Sequence, residues 1–285
     1  MIIVKLDGGM GNQLFQYAMG RYLSIKLKTN LKLDRDLYLA NSQRHYSLHH
    51  FDVEESFCTP NERKVLKRMD FLRRKLNNIG FAVTPYWYTE EFPGYHNYTR
   101  QARGDAYFEG FWQSEKYFKP AESIIRNELV VKTMPSDINK RLLDEIGSVN
   151  AVSVHVRRGD YVSDSVTNAV HGICDINYYK QALNLITTEI ADPSFFVFSD
   201  DMSWTRSNIM INGYPVTYVD HNAEADYEDF RLMYSCRHHI IANSSFSWWG
   251  AWLNSYPGKK VIAPKNWFRS QLINNDIIPQ EWQVI

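Results

Sequence analysis

The sequence predicts an α/β protein of two domains, with parallel sheets covered by helices on both faces. Three observations carry this. A strand, a glycine-rich turn, a helix and a second strand open the chain. From residue 150 onward short apolar runs alternate with helical stretches. The length, 285 residues, suits two modest domains at roughly 150 residues each.

The elements follow in order. Residues 2–6 (Ile-Ile-Val-Lys-Leu) form an apolar run that reads as a strand and leads into Gly8-Gly9-Met10-Gly11. Over residues 13–27, Leu14, Tyr17, Ala18, Tyr22 and Ile25 recur at helical spacing, and residues 30–34 read as a second strand. Together they make a β-α-β unit. Residues 40–145 are less legible. They hold a charged helical stretch (61–76) and an aromatic segment (86–117) broken by Gly94, Gly104 and Gly110. Beyond that, buried strands are expected at 151–156, 195–198, 216–219, 239–242 and 260–263. Helices are expected at 176–190, 203–211, 226–237 and 246–254. Strand and helix alternating through short connections imply a parallel sheet. The polar stretch 147–150 sets the boundary between an N-terminal domain, 1–148, and a C-terminal domain, 149–285.

Charge and cysteine content narrow the function. Thirty-two basic residues balance thirty-two acidic ones, which argues against a general electrostatic grip on nucleic acid but leaves room for a local basic pocket. Cys58, Cys174 and Cys236 are isolated and odd in number, so no disulfide framework or zinc site is indicated. The first residues enter a short apolar run that ends at Asp7, too short for a signal peptide, and no later stretch is long enough to span a bilayer. A cytoplasmic location is expected, with peripheral contact to the inner membrane left open. On that reading the sequons at Asn97 and Asn243 are chance matches.

Ligands of open α/β sheets bind outside the carboxyl ends of the strands. The expected strands of the second half are followed by His155-Val-Arg157-Arg158-Gly159-Asp160, Ser199-Asp200-Asp201, Asp220-His221, Asn243-Ser244-Ser245-Phe246 and Pro264-Lys265. Each polar residue there has an ordinary alternative as a cap or turn residue. An arginine fork suits phosphate oxygens. Strand alternation puts His155 and Arg157 on one side and Arg158 on the other, so Arg157 is expected to meet a diphosphate and Arg158 to pair with Asp160. Ser244 and Ser245 begin a helix whose N–H groups suit an anion. Asp200 and Asp201 offer carboxylates that can accept from guanine. In the first domain Gly9, Gly11 and Asn12 permit close backbone approach to a ligand. The Gly9-x-Gly11 pattern lacks its third glycine, so with Asp34 it is a weak dinucleotide signal. Asp34-x-Asp36 has the form of a divalent-ion pair, but lies far in sequence from the arginines. The histidine pairs 49–50 and 238–239 point to opposite faces if extended and suit no single metal site.

The motifs His155-Val-Arg-Arg-Gly-Asp160, Phe198-Ser-Asp-Asp201, Asn243-Ser-Ser-Phe-Ser-Trp-Trp-Gly-Ala-Trp-Leu253 and Gly8-Gly-Met-Gly-Asn-Gln-Leu-Phe-Gln-Tyr-Ala18 resemble, in order and spacing, the alpha-1,2-fucosyltransferases. These comprise bacterial enzymes that decorate surface polysaccharides and animal enzymes that make H-type antigens. The resemblance implies a GT-B-like architecture of two Rossmann-type domains facing a cleft, the first on the acceptor side and the second binding GDP-fucose. It implies inverting transfer of L-fucose to the 2-hydroxyl of a terminal galactose with no metal cofactor. It assigns the diphosphate to Arg157 and a donor contact to Asn12. Animal members carry a Golgi anchor that this sequence lacks, which points to a bacterial-type enzyme. With no metal, charge on the leaving diphosphate falls to Arg157, His155 and the Ser244/Ser245 helix start. Asp160, Asp164 and His171 are the candidates for an acceptor contact or general base.

Overall fold

The computed structural model describes residues 1–39, 44–79, 81, 84–90, 95–96, 102, 104–269 and 276–285. The chain forms two compact units. The first is Met1–Val130 with a short segment ending at Ile277; the second begins at Val131 and includes Ile278–Ile285.

In the first unit four parallel strands lie in the order β2-β1-β4-β3: β1 (Ile2–Lys5), β2 (Leu31–Asp34), β3 (Trp87–Thr89) and β4 (Ala106–Glu109). Ile2 pairs with Leu31 on one side and Ala106 on the other. Ile2, Ile3 and Val4 are fully buried, as a strand covered on both faces requires. Helix α1 (Met10–Leu27) packs close because Gly20 has no side chain. A Cβ there would lie 2.5 Å from Val4 Cγ2. After the one-turn helix α2 (Asp36–Leu39), helix α3 (Pro60–Asn78) opens on a capping box between Thr59 and Glu62, with Pro60 at its first position. It covers the face carrying Ile3 and Tyr107 through Leu66. The aromatic segment 86–117 supplies β3 and β4, two strands too short to show a period. Gly94 and the sequon at Asn97 lie outside the described residues. A further short helix, α4 (Glu122–Glu128), closes the unit's contiguous stretch.

The second unit holds helix α5 (Asp137–Ser148) and strands β5 (Asn150–Val156), β6 (Pro193–Ser199), β7 (Val216–Val219), β8 (His238–Ile240), β9 (Val261–Ala263) and β10 (Gln283–Val284). They are all parallel, in the order β10-β9-β8-β5-β6-β7. The sheet grows outward from β5 in one direction and then, after β7, from β8 in the other, so the order reverses between β5 and β8. Side-chain alternation covers both faces. Val152, Val154, Val156, Phe195 and Val197 join Tyr179, Ala182 and Ile186 of a helix over Ile176–Glu189. Ala151, Phe196 and Phe198 join Ile146 of α5 and Leu232 and Met233 of a helix over Asp226–Ser235. The boundary expected at 148 is therefore placed differently by the structure. Helix α5 buries Ile146 in the second unit's core, and the polar stretch 147–150 is only the tight connection from α5 to β5. Among the described residues no helix is long and apolar enough to cross a membrane.

Candidate active site

The reversal between β5 and β8 leaves a crevice at the carboxyl end of the sheet, the position where such folds bind ligands. The chain leaves β5 at Val156 and enters two short helices, α6 (Gly159–Ser163) and α7 (Ser165–His171). The next helices in chain order are α8 (Ile176–Glu189), α9 (Met202–Asn208), α10 (Asp226–Ser235) and α11 (Ser245–Leu253).

The arginine pairing differs from the expected one. Arg157 Nη2 donates to Asp160 Oδ1 at 2.6 Å, and its Nη1 lies 2.9 Å from Asp200 Oδ2. Arg158 instead donates from Nε to Asp201 Oδ2 at 3.2 Å and stacks on Trp204, 3.7 Å from the ring centre. Alternation holds only inside the strand. Arg158 takes φ −136° and ψ −59° to start α6, and that turn carries Asp160 back beneath Arg157. Asp200 also accepts the Arg158 backbone N–H at 2.8 Å. Gly159 is needed for this closeness, since a Cβ there would sit 2.5 Å from Asp200 Oδ2. Asp201 accepts from Trp204 N at 3.1 Å as the cap of α9. Capping of α9 is the ordinary alternative the sequence allowed for this pair, whereas the hold of both aspartates on the arginine loop is a duty sequence reading did not give them. Trp204 and Tyr161, whose ring lies 5.3 Å from the Arg157 guanidinium, were missed. The signal available was their position one helical turn beyond the charged pair.

His155 is buried, its ring 5.7 Å from Phe246, and its Nδ1 has no hydrogen-bond partner. Burial, with the neighbouring Arg157 charge, pushes its imidazole down to about 3, so it is neutral at ordinary pH. Phe246 lies against Phe230 as well. Across the crevice, after β8, the Asn243 side chain is buried. Its Nδ2 donates to His171 O at 2.9 Å and Trp267 O at 3.3 Å. That anchors the loop and leaves no room for a glycan on the Asn243 sequon. Ser244 precedes α11 without a side-chain cap, so the first N–H groups of that helix receive no hydroxyl from it.

The remaining candidates separate. Asp164 accepts from Val166 N at 2.8 Å and Thr167 N at 3.3 Å, and these backbone donors hold its carboxyl below the usual range. It is a helix cap. His171 stacks on Tyr161 at 4.9 Å, and its buried Nδ1 lacks a partner. Burial lowers its pKa, against an upward pull from Asp160.

In the first unit the Gly8–Gln13 turn is built as the glycines imply. Gly8 has φ +79°, and the Gly9 carbonyl accepts from Asn12 N at 3.0 Å and Gln13 N at 3.1 Å. Gly11 is buried in the first turn of α1. Asn12 Oδ1 accepts from Gln113 Nε2 at 2.7 Å. The motif's two glutamines are internal staples: Gln13 binds Gly8 O, His45 O and Ser47 N, and Gln16 binds Asp7 N and Gly110 O. Arg63 lies between Asp34 and Asp36, with its Nη1 2.7 Å from Asp34 Oδ2 and its Nη2 paired with Asp36. The two carboxylates that have the form of a divalent-ion pair are therefore already bridged by a cation of the chain. Among the described residues no cluster of three or more His, Cys, Asp or Glu is placed to hold a metal ion.

The glycosyl transferase family 11 profile matches residues 1–285. An alpha-1,2-colitosyltransferase of Escherichia coli is 33% identical, over 99% of this chain and 98% of that one. The O-antigen biosynthesis glycosyltransferase WbnK of Escherichia coli is 30% identical over 92% and 93%. Human galactoside alpha-(1,2)-fucosyltransferase 1 is 34% identical over 36% of this chain and 28% of that one. Among solved structures, an Arabidopsis thaliana FUT1 variant in complex with GDP superposes with a TM-score of 0.51 at 12% identity, covering 92% of this chain and 69% of that one. At that identity the likeness speaks for the fold alone, and the fold agrees with the parallel-sheet architecture read from the sequence. The chain belongs to glycosyl transferase family 11.

Proposed function

We propose that this glycosyltransferase moves L-fucose from GDP-β-L-fucose to the 2-hydroxyl of a terminal galactose on an oligosaccharide or polysaccharide precursor, inverting the anomeric centre and using no metal ion. The observation that carries the reading is the β5–β8 crevice, with Arg157 on one side and the uncapped start of α11 on the other. The acceptor oxygen attacks the anomeric carbon as the bond from that carbon to the diphosphate oxygen breaks. The electron pair leaves with GDP, and the hydroxyl proton passes to a base. Arg157 and the first N–H groups of α11 bind the charge that develops on the leaving group. Asp160 and Asp200 hold the guanidinium in place. Neutral His155 packs behind it against Phe246. Asp164 is unsuited to the base role because its Oδ1 caps α7 and the backbone donors there weaken it as a base, which leaves Asp160 and His171. The Arg63 bridge across Asp34 and Asp36 supports metal-free chemistry. The reaction is assigned to the cytoplasm, where unpaired Cys58, Cys174 and Cys236 stay reduced.

The test is release of GDP from GDP-fucose in the presence of galactose-terminated acceptors. Arg157→Ala should lower kcat by about 10²–10³-fold, while a folded variant with near-normal turnover would sink the assignment. EDTA should leave the rate unchanged. GDP binding without turnover would mark a binding protein instead.

A colitosyl donor is the second reading, favoured by the relative at 33% identity. Colitose lacks the 3-hydroxyl of fucose. A site that hydrogen-bonds that hydroxyl rejects the deoxy sugar by about 10⁴-fold or more, whereas an apolar site distinguishes the two by about 10²-fold at most. The ratio of kcat/KM for the two donors decides between them.

A further inference from the structure

Three adjacent strands of the first unit end in charged residues: Lys5 on β1, Asp34 on β2 and Glu109 on β4. With Arg63 and Lys67 of α3 they line a pocket of about 250 Å³. Its polar groups are locked in pairs. Lys5 Nζ donates to Glu109 Oε1 at 2.7 Å, Arg63 Nη1 to Asp34 Oδ2 at 2.7 Å, and Tyr107 Oη to the same Asp34 oxygen at 2.6 Å. One wall is aromatic. Trp87 stacks on Tyr107 with ring centres 3.8 Å apart and donates from Nε1 to Glu109 Oε2 at 3.2 Å.

Charge decides the class of ligand. Lys5, Arg63 and Lys67 are balanced by Asp34, Asp36 and Glu109, so neither a phosphate nor a cation gains net attraction. A neutral molecule rich in hydroxyls gains from both halves of each ion pair, because a hydroxyl donates and accepts. The Trp87 wall suits the C–H face of a pyranose. The volume falls below the ~300–1,000 Å³ of drug-sized sites, which fits about one sugar ring. Lys5, Asp34 and Glu109 stand at the carboxyl ends of their strands, where α/β sheets receive ligands.

We propose that this pocket holds one neutral sugar residue of the acceptor glycan. The inference rests on the transferase reading above and assigns to the Asp34-x-Asp36 motif a sugar-facing role in place of metal binding.

The test uses two exposed lining residues whose substitution spares the ion pairs. Leu37→Trp fills the pocket, and Lys67→Ala removes a donor from its mouth. The KM values for acceptor and for GDP-fucose are measured with the fastest member of a panel of galactose-terminated di- to pentasaccharides, alongside GDP-fucose hydrolysis without acceptor. The acceptor KM should rise at least about tenfold in Leu37→Trp and severalfold in Lys67→Ala, with donor KM and hydrolysis within twofold of wild type. Folded variants whose acceptor KM stays within twofold of wild type overturn the proposal. If wild-type protein turns over no GDP-fucose, the transferase reading fails separately. The pocket is then judged by saturation-transfer NMR of the same oligosaccharides. A signal on wild type that Leu37→Trp abolishes supports it, and absent or equal signals overturn it.

Discussion

Gly159 and Asp200 show how closely the arginine loop is set. A methyl group at 159 would meet Asp200 Oδ2 at 2.5 Å, and that oxygen has little freedom because Arg157 and the Arg158 N–H hold the carboxylate. Gly159→Ala should therefore cut transfer by at least tenfold while lowering stability by only about 1–3 kcal/mol. Kinetics and urea unfolding of the same sample check both halves. His155 gives a second prediction at this scale. Its folded-state pKa, about 3, lies below the ordinary 6.5. As pH falls below 6.5 the unfolded chain takes up a proton that the folded chain refuses, so stability present at neutral pH is lost on acidification. By pH 5 the loss from this one group is about 2 kcal/mol, at about 1.36 kcal/mol per unit. Burial lowers His171, His238 and His239 in the same direction. Melting temperature should fall between pH 7 and pH 5, with a shallower slope in His155→Asn. A flat wild-type profile would contradict the argument. The identity of these residues was legible in the sequence because a charged run directly after an apolar strand has few uses. Their partners were not, because one non-extended residue, Arg158, reverses the side-chain order that a strand would impose.

Elements differed in legibility according to how clearly their neighbours set them off, and the twelve-residue α5 was missed at the end of the poorly patterned stretch 40–145. Helices α1, α8 and α10 are legible as helical stretches between strands, and α3 from its charged run. The expected strands of the second unit match β5 to β9 within a few residues. β3 and β4 were not legible because they lie in the glycine-broken aromatic segment 86–117, where no polar turn or helical stretch marks off a strand as it does around the equally short β7, β8 and β9. Helices α6 and α7, of five and seven residues, escaped because they are held by Asp164 and the arginine loop rather than by an apolar stripe. Helix α1 carries the element-scale prediction. Gly20→Ala gains about 1 kcal/mol of helix propensity. It also drives a methyl group to 2.5 Å from Val4 Cγ2 and 2.8 Å from Leu31 Cδ1, an overpacking that costs about 1–3 kcal/mol. The variant should unfold at lower urea concentration than wild type, and an increase in midpoint would show that strand and helix can part cheaply.

At the scale of the whole molecule, two units with separate sheets and cores imply that unfolding is not a single step. Calorimetry should resolve two transitions. GDP should raise the one that belongs to the unit carrying Arg157, by about 2.7 kcal/mol at a hundred times its dissociation constant. A single transition that moves as a whole on adding GDP would mean that the units melt together. The division into two was legible from length and alternation. Its position was not, since a helix on the core of the second unit and a linker between units read alike when both are amphipathic and polar-ended.

The segment beyond residue 275 belongs to both halves. Ser114 Oγ donates to the Asp276 carbonyl at 2.7 Å, inside the first unit. In the second, Trp282 packs on Trp248, and the Ile285 N–H donates to the Ala263 carbonyl at 3.1 Å. During synthesis the ribosome releases the early strands long before this stretch. Each half therefore lacks some of its contacts as it emerges, until the same few residues arrive. A nascent chain stalled at residue 270 should be cut faster by protease in both halves than the full chain, whereas equal protection of the amino-terminal part would show that the first half closes without this stretch.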